Sequence, residues 1–395
     1  MSDITLDRIL KQCHSFVANP DSNYMDDIFA QKLKAFSNPA FSSEDQKKLC
    51  TYHHKLILTE VIPAYQKLAD SLESLRGTGK SSRGLAFFEG GREYYLYLLQ
   101  SQTGTYVPVG QIEKRMSAQL LSDYREISSL LKQDSSLIDR LNQCSSELTL
   151  TPTQMLEKLP ELMKKDFPEL KDATYELRTV HPSMKKFLSP AFYLTPPVDT
   201  RSPNVIYIND SGRTSSLELF GTLAHEGFPG HLYQTVSFAG NNPSDIRYLV
   251  TSSGYVEGWA TYVESYGYEY AASLMNDPDS AKNAVRLAWV NRSMNLCIYS
   301  LIDIGIHYRG WDAARTAVFL RAFGINNAST AAEIYQYIVE TPGNYLKYYW
   351  GYLNFLDLKT VCQKRLGDDF DLKEFHRRIL DIGPVQFPVL EKYMK

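Results

Sequence analysis

The chain has 395 residues, 44% hydrophobic and 12% aromatic, enough apolar side chain to bury a sizeable core. A formal net charge of −3 and a pI near 6.3 give no broad basic field, which argues against nucleic acid as a partner. Five scattered cysteines, Cys13, Cys50, Cys144, Cys297 and Cys362, imply neither a disulfide framework nor a cysteine zinc cluster, and no apolar stretch approaches the roughly 20 residues that span a bilayer.

The opening MSDITLDRILKQCHSF lacks the charged-then-apolar layout of an export signal, so the chain reads as soluble, with cytoplasm and export both open. Apolar positions recur at helical spacing from about Ser43 to Leu75, where Pro63 is expected to kink or split the helix. The break GTGKSSRG precedes the tyrosine-rich GREYYLYLLQSQTG, a helix from about Val109 to Lys132, and shorter helices to about Phe167. Between Thr174 and Asp210 the runs YELRTV and NVIYIND are β-branched and aromatic between turn residues, which predicts a small sheet. Helical periodicity resumes near Ser215, with segments near Ile246 to Tyr270, Ser280 to Tyr308, Asp312 to Phe323 and Tyr345 to Arg365. The expected fold is mainly α with a small β-sheet. Residues 1–170 would form a helical lid or cleft wall and 171–395 a catalytic part. No repeat or clear linker separates the two, so they are expected to make one continuous unit.

The chemistry concentrates in LFGTLAHEGFPGHLYQ. In H-E-x-x-H, two histidines four apart share a helix face and bind zinc while the glutamate polarises a water. Here His225 and His231 are six apart. Positions i and i+6 of a regular helix point roughly 120° apart and cannot share an ion. Pro229 and the flanking Gly227 and Gly230 permit a local bulge that absorbs two residues and returns His231 to the ligand position. The other reading ends the helix at GFPG and leaves His231 on the surface. Further on, YVEGWATYVESYG puts Glu257, Thr261 and Glu264 on one helix face. Glu257 would complete a His₂Glu set with His225 and His231, and Glu226 would serve as general base.

The ordered motifs AHEGFPGHLYQ, EGWATYVE, DIGIHYRGW, TPGNYLKYYWGYL and FHRRILDIGPVQFPVLE, with GREYYLYLLQSQTG as a weaker upstream match, resemble the bacterial domain-of-unknown-function family 885. Members of that family look like zincin metallopeptidases. The resemblance implies a zincin-like fold, a helical body with a cleft, and makes the six-residue spacing the family's own variant. It implies His225, His231 and Glu257 as ligands of one zinc ion per chain, Glu226 as base, and Glu264 as the group orienting a ligand histidine. His307 and Tyr348 fall where the family has a histidine and a tyrosine, which makes them candidates to stabilise an oxyanion. Leu232 stands where the family usually has a further histidine. The chain also enters the family pattern late, as if an N-terminal portion were absent.

The expected activity is hydrolysis of short peptides, as a carboxypeptidase or oligopeptidase, with NVIYIND as a strand along which substrate could lie, or equally an internal strand. Another metal-dependent amide hydrolase or condensing enzyme, and an inactive metal-binding protein of the same fold, are the alternatives. Oligomeric state is not readable from these residues.

Overall fold

The computed structural model describes residues 2–36, 42–79, 81–170 and 173–395. They form two compact units, Met1–Phe87 and Phe88–Lys395. The segment expected as a first part, residues 1–170, is therefore divided. Its portion beyond residue 87 belongs to the larger unit because the long helix that it contributes packs on that unit's central helices.

The first unit comprises α1 (Asp3–Val17), α2 (Tyr24–Ala35), α3 (Ser43–Leu56) and α4 (Ile62–Glu73). Leu6, Leu10 and Cys13 of α1 are buried against Ala69 of α4. Between α3 and α4, Ile57–Val61 form one turn of wider π-helix, and the Ile62 amide bonds back to the Ile57 carbonyl. Pro63 stands in the first turn of α4, so the expected split occurs where the chain cannot supply a donor.

The second unit begins with α5 (Gly91–Thr103), α6 (Val109–Gln133), α7 (Leu137–Glu147) and α8 (Pro152–Leu162). Three short strands follow, β1 (Glu176–Thr179), β2 (Ala191–Leu194) and β3 (Val205–Ile208), in spatial order β1-β3-β2. β1 runs parallel to β3, and β2 pairs antiparallel with it, Tyr193 opposite Ile206. The NVIYIND strand is thus the central one, with β1 at one edge and at the other AFYL, a run obscured in the sequence by the prolines and serines around it. The remaining helices are α9 (Ser216–Glu226), α10 (His231–Gly240), α11 (Ile246–Leu249), α12 (Ser253–Ala272), α13 (Pro278–His307), α14 (Ala313–Arg321), α15 (Ala328–Glu340), α16 (Asn344–Leu366), α17 (Leu372–Ile382) and α18 (Phe387–Met394). No helix among the described residues is long and apolar enough to cross a membrane.

α12 lies between α9 and α16 and packs on α13 as well. It is buried on nearly every side, as expected of a helix that mixes aromatic and small residues round its whole circumference. Close approach is possible because side chains are missing at the contacts. A Cβ at Gly258 would stand 2.4 Å from the Gly351 carbonyl carbon, and one at Gly267 would stand 2.5 Å from the Ala224 methyl. The start of α16 is fixed by Asp303 of α13, fully buried, which accepts from the Tyr95 hydroxyl at 2.6 Å and from the Gly343 amide at 2.9 Å.

Two outcomes follow from this packing. Gly258→Ala lowers the unfolding midpoint in urea, by the equivalent of about 1–3 kcal/mol, whereas Gly240→Ala, where an added Cβ meets nothing within 4 Å, leaves it unchanged or slightly raised. Burial outweighs its hydrogen bonds and pushes the Asp303 carboxyl up to about 7. Its unfolded value is about 3.9, so the folded chain holds a proton that the unfolded chain has lost between those limits. The contribution of Asp303 to stability is therefore greatest below about pH 4 and falls as pH rises to 7. Thermal melts of wild type and Asp303→Asn across that range should show the difference moving in favour of the variant.

Candidate metal centre

A capping box starts α9: Ser215 Oγ accepts from the Glu218 amide while the Glu218 carboxylate accepts from the Ser215 amide. Leu217, Phe220, Leu223 and Ala224 bury its apolar face, and its last two residues are His225 and Glu226. The helix then stops instead of bulging. Gly227 takes φ −104° and ψ −99°, four residues connect, and α10 opens on His231. The Tyr233 and Gln234 amides bond back to the carbonyls of Gly227 and Gly230, so α10 starts a hydrogen-bond ladder of its own. Gly230 is confined to glycine, because a Cβ there would lie 1.8 Å from the His225 carbonyl oxygen. Trp259 of α12 donates its indole N–H to the Pro229 carbonyl at 2.9 Å, holding this connection against α12.

The two rings end 4.8 Å apart and nearly perpendicular. Glu257 Oε2 lies 3.3 Å from His231 Nε2 and 3.7 Å from His225 Nε2. Ligand atoms held at 2.0–2.2 Å on a tetrahedral ion stand roughly 3.3–3.6 Å apart; the two carboxylate–imidazole separations lie at or just beyond that range, and two imidazole nitrogens with a carboxylate oxygen are a donor set that fits zinc in kind. Glu226 joins both histidines in a group whose ligand atoms all lie within 4.8 Å of one another. Its Oε2 accepts the Tyr193 backbone N–H of edge strand β2 at 2.9 Å.

Behind His225 stands Glu264, only 4% exposed. Its Oε2 is 3.4 Å from His225 Nδ1, within ion-pair reach but not aligned as a hydrogen bond, and its Oε1 accepts from Arg292 Nε at 3.0 Å. Burial works against every charge here, and neighbours overcome it. Glu257 and Glu264 pull His225 up to about 10. The two histidines hold Glu257 well below the carboxylate range. Arg292, followed by His225, lowers Glu264. The pocket between these carboxylates strongly favours positive charge.

Tyr348 lies beside this group, its ring 6.3 Å from that of His225 and roughly parallel to it. Burial first, then the Glu257 carboxylate, push its hydroxyl well above the phenol range, so it stays a donor at any ordinary pH. Lys347 places Nζ 3.6 Å from Glu257 Oε1. His307 is not brought to the cluster. It is fully buried at the end of α13, donates from Nε2 to the Ile338 carbonyl at 2.9 Å, and stacks 5.5 Å from the Tyr95 ring. Burial lowers it to about 4, which keeps the ring neutral. The DIGIHYRGW segment acts in the architecture instead, through this histidine and Asp303. Sequence reasoning missed Lys347, Arg292 and the Tyr193 amide. Lys347 stood next to a candidate tyrosine and could have been found there. Arg292 carried no local signal.

Two solved bacterial structures, each described as a "putative lipoprotein", are similar to this chain. The one from Colwellia psychrerythraea superposes with a TM-score of 0.84 at 21% identity, covering 100% of this chain and 70% of that one. The other, of unknown function and from Shewanella oneidensis, gives 0.60 at 16% identity over 98% and 73%. At such identities the likeness is one of fold. No curated protein matches. The family described as "Bacterial protein of unknown function (DUF885)" matches residues 1–394, and the chain belongs to that family.

Proposed function

We propose that this chain is a zinc-dependent metallopeptidase of the zincin type, acting on short peptides. The observation that carries the reading is that Glu257 Oε2 stands within 3.7 Å of both His225 Nε2 and His231 Nε2, with the Glu226 carboxylate grouped with the same two histidines. A helix bearing a histidine and a glutamate, a third ligand from a later helix, and a small sheet whose edge faces the glutamate make up the arrangement that zincins use.

Bound zinc would supply Lewis acidity, polarising a scissile carbonyl and making a water easier to deprotonate. The chain's own groups would do the rest. Glu226 takes the proton from the attacking water and returns it to the leaving amine. Tyr348, held protonated, donates toward the oxygen on which negative charge develops. Glu264, itself oriented by Arg292, fixes the His225 ring through Nδ1. Edge strand β2 offers an extended peptide its outward backbone, beginning with Tyr193, through bonds that are indifferent to side chains.

Glu226→Gln should retain zinc, measured by elemental analysis, and lose about 100- to 10,000-fold in kcat/KM on a peptide mixture. Unchanged turnover would remove Glu226 from the mechanism. His231→Ala should lose stoichiometric zinc and all chelator-sensitive cleavage while keeping its helical circular-dichroism spectrum. Undiminished zinc in that variant would refute the ligand set.

A further inference from the structure

A cavity of about 900 Å³ opens in the second unit with Glu257 among its lining residues, within the usual size range of ligand sites. Its lining comes from α10, from the segment that continues β2 past Leu194, and from Arg247 and Tyr248 of α11. A chain laid along β2 beside the histidines would run into this space.

The lining includes two guanidinium groups, Arg201 and Arg247, with no carboxylate partner among the described residues. Arg201 stacks over the Tyr248 ring at 5.3 Å and Arg247 over the Phe238 ring at 5.2 Å, while the two rings meet edge to face at 5.4 Å. The four side chains form a ladder that orients both cations. Among the described residues Arg201 bonds the Ala239 carbonyl alone, and Arg247 those of Ile382 and Pro384. Much of each planar fork is therefore left to a ligand. A third arginine, Arg377, is neutralised by Glu374 and Asp381. Asp381 is the cavity's other acidic group along with Glu257 and the exposed Glu169. Two lining residues also bury polar atoms without hydrogen-bond partners: Gln234 Nε2, in a side chain 3% exposed and one turn beyond His231, and Tyr248 Oη. A dry site would not leave buried donors unpaired.

We infer that this cavity is an anion-reading subsite, which takes a carboxylate of a bound peptide between Arg201 and Arg247 while Gln234 bonds the peptide nearer the histidines. The inference rests on the peptidase reading for its choice of a peptide. The carboxylate is either the chain's C-terminus or an acidic side chain, and the ladder would accept both.

Binding decides it, independently of turnover. Three N-acetylated tetrapeptides are titrated calorimetrically into the Glu226→Gln protein, with zinc and with chelator: one with uncharged side chains and a free C-terminal carboxylate, one amidated with a glutamate, and one amidated with glutamine in its place. At least one carboxylate peptide should bind tenfold or more tightly than the glutamine amide, and the first two arms distinguish the source of the charge. Arg201 is exposed, so Arg201→Ala leaves the core intact; it should bring that ratio toward one, and Arg201→Glu should bring it below one. Equal binding of all three peptides, no binding at all, or an advantage that survives Arg201→Ala overturns the subsite. An arginine-dependent advantage in a wild-type protein that cleaves none of the three would leave the subsite standing and count against the peptidase reading alone.

Discussion

Everything at the histidines depends on how near α12 can come to its neighbours. On one side Gly267 lets it close on Ala224 of α9, next to His225, and on the other its backbone meets that of α16 at Gly258 and Gly351, the helix that carries Tyr348. Ordinary helix pairs stand 8–10 Å apart with side chains interleaved. Here that interleaving is removed where the carboxylates must go inward, and the aromatic residues of α12, led by Trp259, fill the space on either side. The result is a rigid presentation of Glu257 and Glu264 seven residues apart on one face, a spacing that two helical turns nearly close.

The second constraint is charge. Glu257 and Glu264 are carboxylates in a place that resists charge, stabilised by two histidines, Arg292 and Lys347. Buried charges of this kind are tolerated when paired and costly when a partner is lost. The arrangement is therefore a poor choice for stability alone. Its electrostatic preference for a cation is the physical content of the metal reading.

Much of this was legible in the sequence because the signals were local. Pro63 announced the interruption between α3 and α4, and the β-branched runs announced two of the strands. His225, Glu226, His231, Glu257 and Glu264 were readable from type and spacing, and the structure gathers all five. The helix break at GFPG was read as a bulge because proline and glycine permit either; only the packing of Gly230 on the His225 carbonyl decides between them. β2 was missed since its four residues show no alternation long enough to register. His307 misled because a histidine in a shared motif says nothing about which carbonyl will face it, and Arg292 was invisible because its partner is 28 residues away on another helix.

In the free chain the Tyr193 amide and the Glu226 carboxylate satisfy each other at 2.9 Å. An incoming strand that paired with β2 would claim that same amide, and the carboxylate would be left without its donor in a partly buried place. Occupancy of the edge and release of the Glu226 carboxylate are thus two sides of one exchange of partners, and a strand added at β2 would free that oxygen in the act of pairing.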